Sequence, residues 1–362
     1  GSVTPFGLLN DIENKVIFFL DNNEANFITL KKVKSSIITE EDRLFYQLNL
    51  GPKDDDTGLC NGWNFCGACG TCLDTLAGNQ SGGHDRPYPG IAAGPYAFSG
   101  AKCGSSQTKT VTLGYKFKTD MMLIRIILDQ EEIPFECWEG APLADAAQSL
   151  SEALIRAITE STIIDVEPSE LDGHTRILYG QGEDGTDTYL DFYIFDNTPG
   201  GSGHSVRVSE KISDIFDDLE RILDCQGECD RSCHQCLRTY ANRFHQRNLD
   251  RHWAHSLLQY ILSGKIGQIN SNRIEKLRDN ILIPSLNAAL AAEDKDPCEF
   301  ADIDDKSGIF TISNIDGNDV SFHIHSPFSQ ENDDADISVS DYELMRNMPR
   351  VILQIQEFVS QG

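Results

Sequence analysis

Cys225-Gln226-Gly227-Glu228-Cys229-Asp230-Arg231-Ser232-Cys233-His234-Gln235-Cys236 sets four cysteines in the spacing C-x3-C-x3-C-x2-C. Four thiolates so close together suit one tetrahedral Zn²⁺: each short loop lets the chain turn back on the ion while backbone N–H groups face the sulfurs. A four-sulfur set leaves no position for water or substrate, so this zinc is expected to hold structure and not to catalyse. Its loss should unfold the surroundings. The competing reading is buried or disulfide-linked cysteines, and clustering of this kind in a cytosolic chain speaks against it.

Upstream, Ile212, Ile215, Phe216, Leu219 and Ile222 recur at helical spacing and lead into Cys225. Leu150, Leu154 and Ile158 mark an earlier helix, and residues 189–195 read as a strand between the two. Residues 111–117 and 121–128 are strand-like, and the second run is apolar on both faces, as a central strand should be. Downstream, Trp253, Leu257 and Ile261 continue an amphipathic helix that Gly264 should end. The order strand, helix, strand, helix predicts an α/β fold of the α+β type with a mixed sheet, stabilised by zinc.

The 362 residues are 40% hydrophobic, enough to build real cores. A formal net charge of −27 gives the whole molecule a field that repels nucleic acid and acidic membranes, so any DNA contact must be local. The run 121–128 is interrupted by Arg125 and too short to span a bilayer, and no signal-peptide pattern opens the chain. A cytoplasmic chain without membrane contact is expected. Gly1-Ser2 without Met reads as a pair left by tag removal and predicts a longer parent protein.

Against this acidity the segment after Cys236 stands apart. Arg231, Arg238, Arg243, Arg247 and Arg251 face Asp250 alone between residues 231 and 255, interleaved with His234, His245, His252, His255, Tyr240, Phe244 and Trp253. Basic and aromatic groups together are what phosphates and exposed bases require, which makes Arg238, Arg243, Arg247 and Arg251 candidate nucleic-acid contacts. Equally weighted is the reading that they pair with the chain's own surplus carboxylates. The glycine-rich run Asp196-Asn197-Thr198-Pro199-Gly200-Gly201-Ser202-Gly203-His204 follows a strand and precedes a helix. It could hold an anion at the helix N-terminus, but a tight packing turn is the favoured reading. No Walker-type phosphate loop occurs, so the chain shows no ATP site.

Asp196 to Gly203, the four cysteines, Cys236-Leu237-Arg238-Thr239-Tyr240-Ala241-Asn242, His245 and Leu249-Asp250-Arg251 together resemble the MrfA-type zinc-binding domain. Leu113-Gly114, Thr119-Asp120, Ser149-Leu150 and Ala153-Leu154 extend the likeness to residues 111–263. The resemblance implies a module attached to superfamily 2 DNA helicases or to their companions, such as DrmB-like proteins of DISARM phage defence. It also implies the zinc role for Cys225, Cys229, Cys233 and Cys236, brings nothing catalytic, and makes DNA and a helicase or another defence or repair subunit the expected partners.

A second cysteine cluster precedes this segment. Cys60, Cys66, Cys69 and Cys72, with His84 and Cys103 further on, are candidate ligands for one more zinc. Cys66-Gly67-Ala68-Cys69-Gly70 has the C-x2-C-G form of a zinc knuckle, in which glycine lets the chain turn around the metal. The favoured set is Cys66, Cys69, His84 and Cys103, with an all-thiolate set using Cys72 or Cys60 close behind. With only three protein ligands, bound water could be activated, so a zinc-dependent hydrolase or nuclease is the enzyme alternative. A pure protein-docking role through the acidic surface is the third reading. The expected division is a small β unit at 1–50, a Cys/Gly-rich zinc-binding loop region at 51–110, the MrfA-type domain at 111–265, and an unassigned α+β unit at 266–362. In the last, a helix is expected from Asn272 towards Ile283, a hairpin at Asp316-Gly317, and a solvated acidic loop at 331–336.

Overall fold

A computed structural model describes residues 12–18, 28–52, 62–73, 83–84, 102–129, 133, 141–161, 165–182, 185–227, 229–243, 245–300, 303, 308–315, 318–329 and 331–361. In chain order the first elements are β1 (Ile12–Phe18), β2 (Ile28–Leu30), β3 (Val33–Pro52), β4 (Trp63–Cys66), β5 (Thr108–Val111), β6 (Leu113–Leu128), α1 (Ala141–Glu160), β7 (Leu171–Gly182) and β8 (Gly185–Asp196). They are followed by α2 (His204–Ser209), α3 (Ile212–Leu223), α4 (Arg251–Ser263), α5 (Ser271–Leu277), a π-helical turn (Arg278–Leu282) and α6 (Ile283–Ala292). The chain closes with β9 (Glu299–Phe300), β10 (Ile309–Ile315), β11 (Asn318–His325), β12 (Ile337–Ser340), α7 (Asp341–Arg346) and α8 (Met348–Gln361). This is an α+β fold with one large sheet ordered β1-β3-β6-β8-β7 and a smaller sheet ordered β12-β11-β10-β9.

By internal contacts the chain forms two compact units, one of residues 1–23, 42–119 and 199–201, the other of 24–41, 120–198 and 202–362. In the larger unit the 121–128 run is indeed a central strand: β6 pairs antiparallel with β8, from Met121 opposite Phe195 to Leu128 opposite Thr188. Because strand side chains alternate, Met122, Ile124, Ile126 and Leu128 share one face with Leu190, Phe192 and Ile194, and this face packs on α1, α3 and α4. Helix α1 offers the small and branched stripe Ala146, Ala147, Leu150, Ala153, Leu154, Ala157 and Ile158, all buried. Helix α4 ends as expected, with Gly264 at φ 77° and its N–H donated to the Tyr260 carbonyl.

One strand went unread in the sequence. Strand β7 lies beside β8 over its whole length, from Leu171 opposite Asp196 to Gly182 opposite Gly185. Gly173, His174 and Gly180 break its hydrophobic alternation; backbone pairing along β8 makes it a strand. Its presence turns a strand–helix–strand crossover into an antiparallel hairpin.

Residues 272–292 are helical in two pieces, α5 capped by the Asn270 side chain and α6 continuing past the π turn. Strands β10 and β11 pair as a hairpin around Asp316-Gly317, a pair that lies outside the described residues. A second core forms here from Ile274, Leu282, Leu286, Phe310, Phe322, Ile324, Val339, Val351 and Ile355.

In the smaller unit β1 pairs with the 45–52 end of β3, and β4 pairs with β5 from Trp63 opposite Val111 to Cys66 opposite Thr108. Trp63 is fully buried, and its indole N–H donates to Asn49 at 2.7 Å. Gly51 sits at φ 84°, where a Cβ would meet the Gly62 carbonyl oxygen at 2.4 Å, so only glycine lets these strands approach.

Candidate metal centres

Helix α3 delivers Cys225 two residues past its end, anchored by buried Ile215, Phe216, Leu219 and Ile222. The chain then loops through Cys229 and turns at Cys233–Cys236, where the Cys236, Leu237 and Arg238 N–H groups donate to the Cys233 carbonyl. The sulfurs of Cys225 and Cys233 are 3.5 Å apart, those of Cys229 and Cys236 3.7 Å, and those of Cys233 and Cys236 3.8 Å. Zn–S bonds of about 2.3 Å in a tetrahedron set sulfur–sulfur edges of about 3.8 Å, whereas a disulfide needs about 2.05 Å. The spacing is that of metal ligands. Two N–H groups also face the sulfurs: Gln235 donates to Cys233 Sγ at 3.3 Å and Cys233 to Cys236 Sγ at 3.2 Å.

Arginines brace this loop. Arg156 of α1 donates to the carbonyls of His234 and Cys236, at 2.9 and 3.2 Å. Arg251 donates to those of Cys229 and Leu223, at 3.1 and 2.9 Å. Arg273, almost fully buried, donates to the Asp230 carbonyl at 2.8 Å and pairs with the buried carboxylates of Asp250 and Asp341. Thiol ionisation divides unevenly: burial pushes Cys229 up, reinforced by Cys236, while the Gln235 N–H and neighbouring thiols outweigh burial and bring Cys233 down to about 7. A divalent cation would stabilise all four as thiolates.

The first cluster assembles at the open end of the β4–β5 ribbon. Cys66 ends β4, Cys69 follows in a turn, and Gly70 takes φ 76°, the left-handed position expected of a knuckle glycine. His84 and Cys103 face each other in an isolated bridge whose two N–H···O bonds measure 3.1 and 2.7 Å. Cys66, Cys69, His84 and Cys103 bring their donor atoms within 4.8 Å of one another. Cys66 and Cys103 sulfurs lie 3.8 Å apart, and Cys69 Sγ is 3.1 Å from His84 Nε2. Against the cost of burial, hydrogen bonds from Thr71 and His84 lower Cys69 to about 6. Cys72 stands outside this group, bridged to Phe65, and Cys60 lies outside the described residues.

The four candidate nucleic-acid arginines divide by position. Arg251 is taken up by the loop carbonyls, and Arg238 donates to Ser232 Oγ at 2.9 Å. Arg243 and Arg247 are exposed, and the Arg243 guanidinium lies 4.4 Å from the ring centroid of Tyr240, which is 80% exposed. In the glycine turn, Asp196 accepts from the N–H groups of Ser202, His204 and Ser205, and Asp120 from that of Gly203. The anion at this helix start is the chain's own carboxylate, which makes the run a packing turn.

Sequence reading missed Arg156 and Arg273 as supports of the metal loop. Both are basic residues within helices, where nothing local separates them from solvated surface charges.

Fold and donor sets define the class: an α+β protein with two Cys/His clusters that could hold zinc. Residues 150–237, which include Cys225, Cys229, Cys233 and Cys236, match the family described as the MrfA Zn-binding domain. It is similar to Druantia protein DruE from Escherichia coli (strain UMEA 4076-1), with 26% identity across 94% of this chain and 18% of that protein. The chain thus spans 18% of that relative's length. A solved structure of the DUF1998 helicase MrfA bound to DNA aligns with 69% of this chain and 25% of that one, at 12% identity and a TM-score of 0.37, a likeness too slight to carry argument. Among the described residues no helix is long and apolar enough to cross a membrane.

Proposed function

We propose that this chain is a noncatalytic, zinc-stabilised part of a helicase-type DNA-processing machine in the cytoplasm, serving phage defence or DNA repair. The observation that carries the reading is the four-sulfur cluster at tetrahedral spacing inside a segment that matches the MrfA Zn-binding domain. Its donors fill every position of a tetrahedral ion, and so do the three sulfurs and one imidazole of the first cluster. That saturation argues against a zinc-activated water and so against the hydrolase reading. The ions, when bound, would supply crosslinks; the protein's contribution is to hold the loop by Arg156, Arg251 and Arg273.

DNA engagement falls to the exposed part of the segment after the cluster. Tyr240 with Arg243 stacked on it, and Arg247 nearby in sequence, present a ring face and two guanidinium groups, whereas Arg238 and Arg251 act by shaping the loop. The test is binding of labelled single-stranded and duplex DNA to the zinc-loaded chain at two salt concentrations, with an Arg243→Glu/Arg247→Glu variant. A loss of about tenfold or more at low salt supports the reading. Equal binding by variant and parent would move the DNA contact away from Arg243 and Arg247, and no binding by either at any salt would leave docking to a protein partner in its place.

A further inference from the structure

Helix α6 has no polar face. Its residues, Ile283 to Ala292, include no charged side chain, and of the two polar ones Asn287 accepts the Cys298 N–H at 2.9 Å, which leaves Ser285. A helix that is apolar all round is ordinarily covered all round. Here Ile283, Leu286 and Leu290 are buried in the second core, while Ala288, Ala291 and Ala292 are exposed.

The uncovered side is one wall of a groove. Ser285, Ala288, Ala289 and Ala292 recur at i, i+3, i+4 and i+7, so they form a single line along α6 on a different face from Leu286 and Leu290. The facing wall is α8, which contributes Met348, Ile352 and Leu353. Val351 and Ile355 of α8 are buried in the same core as Leu286 and Leu290, so both walls are fixed from beneath. The groove has a volume of about 680 Å³, and a hydrogen bond from Gln356 of α8 to Glu293 at 2.9 Å joins the two helices at one end. Leu353 is 57% exposed. A single exposed leucine would need no explanation, but one that continues an apolar groove between two helices does.

Charge decides what fits. The end marked by Glu293 carries Glu293, Asp294, Asp296 and Glu357, all exposed, against Lys295, which pairs with Glu293 at 2.9 Å. The carbonyl end of α6 adds its partial negative charge there. Arg350, the one basic residue of α8, pairs with Glu343 of α7 at 3.7 Å. Such a rim repels the phosphates of nucleic acid and of membrane surfaces, and a second copy of the chain would bring the same carboxylates and a net charge of −27 with it.

We propose that the α6–α8 groove is the docking site for a basic amphipathic helix of a partner protein. The apolar stripe of that helix lies against Ala289, Ile352 and Leu353, and its lysines or arginines lie over Glu293 and Glu357. The alanines of α6 let the helix axis approach closely, and the longer side chains of α8 supply apolar area. The contact needs neither Arg243 nor Arg247, so it stands or falls apart from the DNA reading.

The probe is a labelled peptide of about 18 residues, long enough to be helical, with leucine at i, i+3, i+4 and i+7 spacing and lysine elsewhere. Two controls keep its length: one has glutamate in place of lysine, the other the same composition in scrambled order. Fluorescence anisotropy reads binding to the zinc-loaded full chain and to its Leu353→Gln, Ala289→Gln and Glu293→Gln/Glu357→Gln variants, each checked for parental circular dichroism. The glutamate and scrambled peptides should bind at least about tenfold more weakly than the lysine peptide. Leu353→Gln should weaken the lysine peptide about tenfold, and Ala289→Gln, which fills the groove from the other wall, should act in the same direction. The carboxylate variant should weaken it about two- to tenfold, a difference that fades at high salt. Folded Leu353→Gln and Ala289→Gln chains that bind the lysine peptide like the parent overturn the proposal. So does a parent that binds none of the peptides, or one that binds the scrambled peptide equally well, since the attraction is then the general acidity of the chain. Self-association of the parent in sedimentation, lost in Leu353→Gln, overturns it in favour of a second copy.

Discussion

Asp250 is where the metal loop, helix α4 and the C-terminal core meet, and removing it gives a magnitude that can be worked out. Its buried carboxylate caps α4 by accepting the His252 N–H at 2.9 Å and pairs with Arg231 at 3.3 Å and Arg273 at 3.2 Å. Burial pushes this carboxyl above its ordinary range against the pull of Arg273, so the site tolerates the charge only because its partners are in place. Asp250→Ala loses a helix cap, at about 1 kcal/mol. It also leaves Arg273 buried with only Asp341, 3.6 Å away, to balance it, a break of the kind that costs about 3–5 kcal/mol. Asp250→Asn keeps the cap and loses only the charge. The expected losses are therefore about 4–6 kcal/mol for alanine and about 1 kcal/mol less for asparagine. Urea unfolding of the zinc-loaded chain, followed by fluorescence, reads both; Trp253 is a suitable reporter because its indole N–H donates to Asp341. Adding Arg273→Met to Asp250→Asn should recover part of the loss, since the unpaired buried charge goes with it. An Asp250→Asn protein within about 1 kcal/mol of the parent would refute the claim that this ion cluster ties the C-terminal core to the metal loop.

Elemental analysis should find two zinc ions per chain, one lost in Cys233→Ser and the other in Cys69→Ser, with Cys72→Ser keeping both; a loss in Cys72→Ser would mean a different ligand set. Glu152 should make the fold pH-dependent. Burial, with a contribution from Asp172, raises its carboxyl to about 7 despite the Asn242 hydrogen bond. The folded state holds this proton more tightly than the unfolded state does, so the contribution is full below about pH 4 and is lost as pH rises through 7. Glu152→Gln should therefore gain on the order of 3 kcal/mol over the parent at pH 8 and little at pH 4; an equal difference at both would show that Glu152 does not titrate in this way. Asp196→Ala should cost about 2–4 kcal/mol, because three N–H groups at the start of α2 lose their acceptor together. A change below 1 kcal/mol in urea unfolding would mean that water replaces the carboxylate.

Local chemistry was legible where one short stretch holds all the partners. C-x3-C-x3-C-x2-C needs no tertiary contact to suggest tetrahedral sulfur, and Cys66-Gly67-Ala68-Cys69-Gly70 announces its left-handed glycine in the same way. Amphipathic helices α3 and α4 were readable because an apolar stripe at helical spacing buries one face whatever it packs on. Strand β7 was not, since its pairing depends on β8 and leaves no periodicity of its own.

The sequence alone therefore determined the metal chemistry, the acidity that confines any polyanion to local patches, and the main helices, because each rests on residues a few positions apart. Tertiary structure decided what distance in sequence hides. It set His84 and Cys103, and not Cys72, beside Cys66 and Cys69, laid β7 antiparallel beside β8, and turned Arg251 into the metal loop while Arg243 and Arg247 stayed exposed. Those outcomes depend on which backbone and carboxylate groups the fold brings within hydrogen-bonding reach, and composition does not encode that reach.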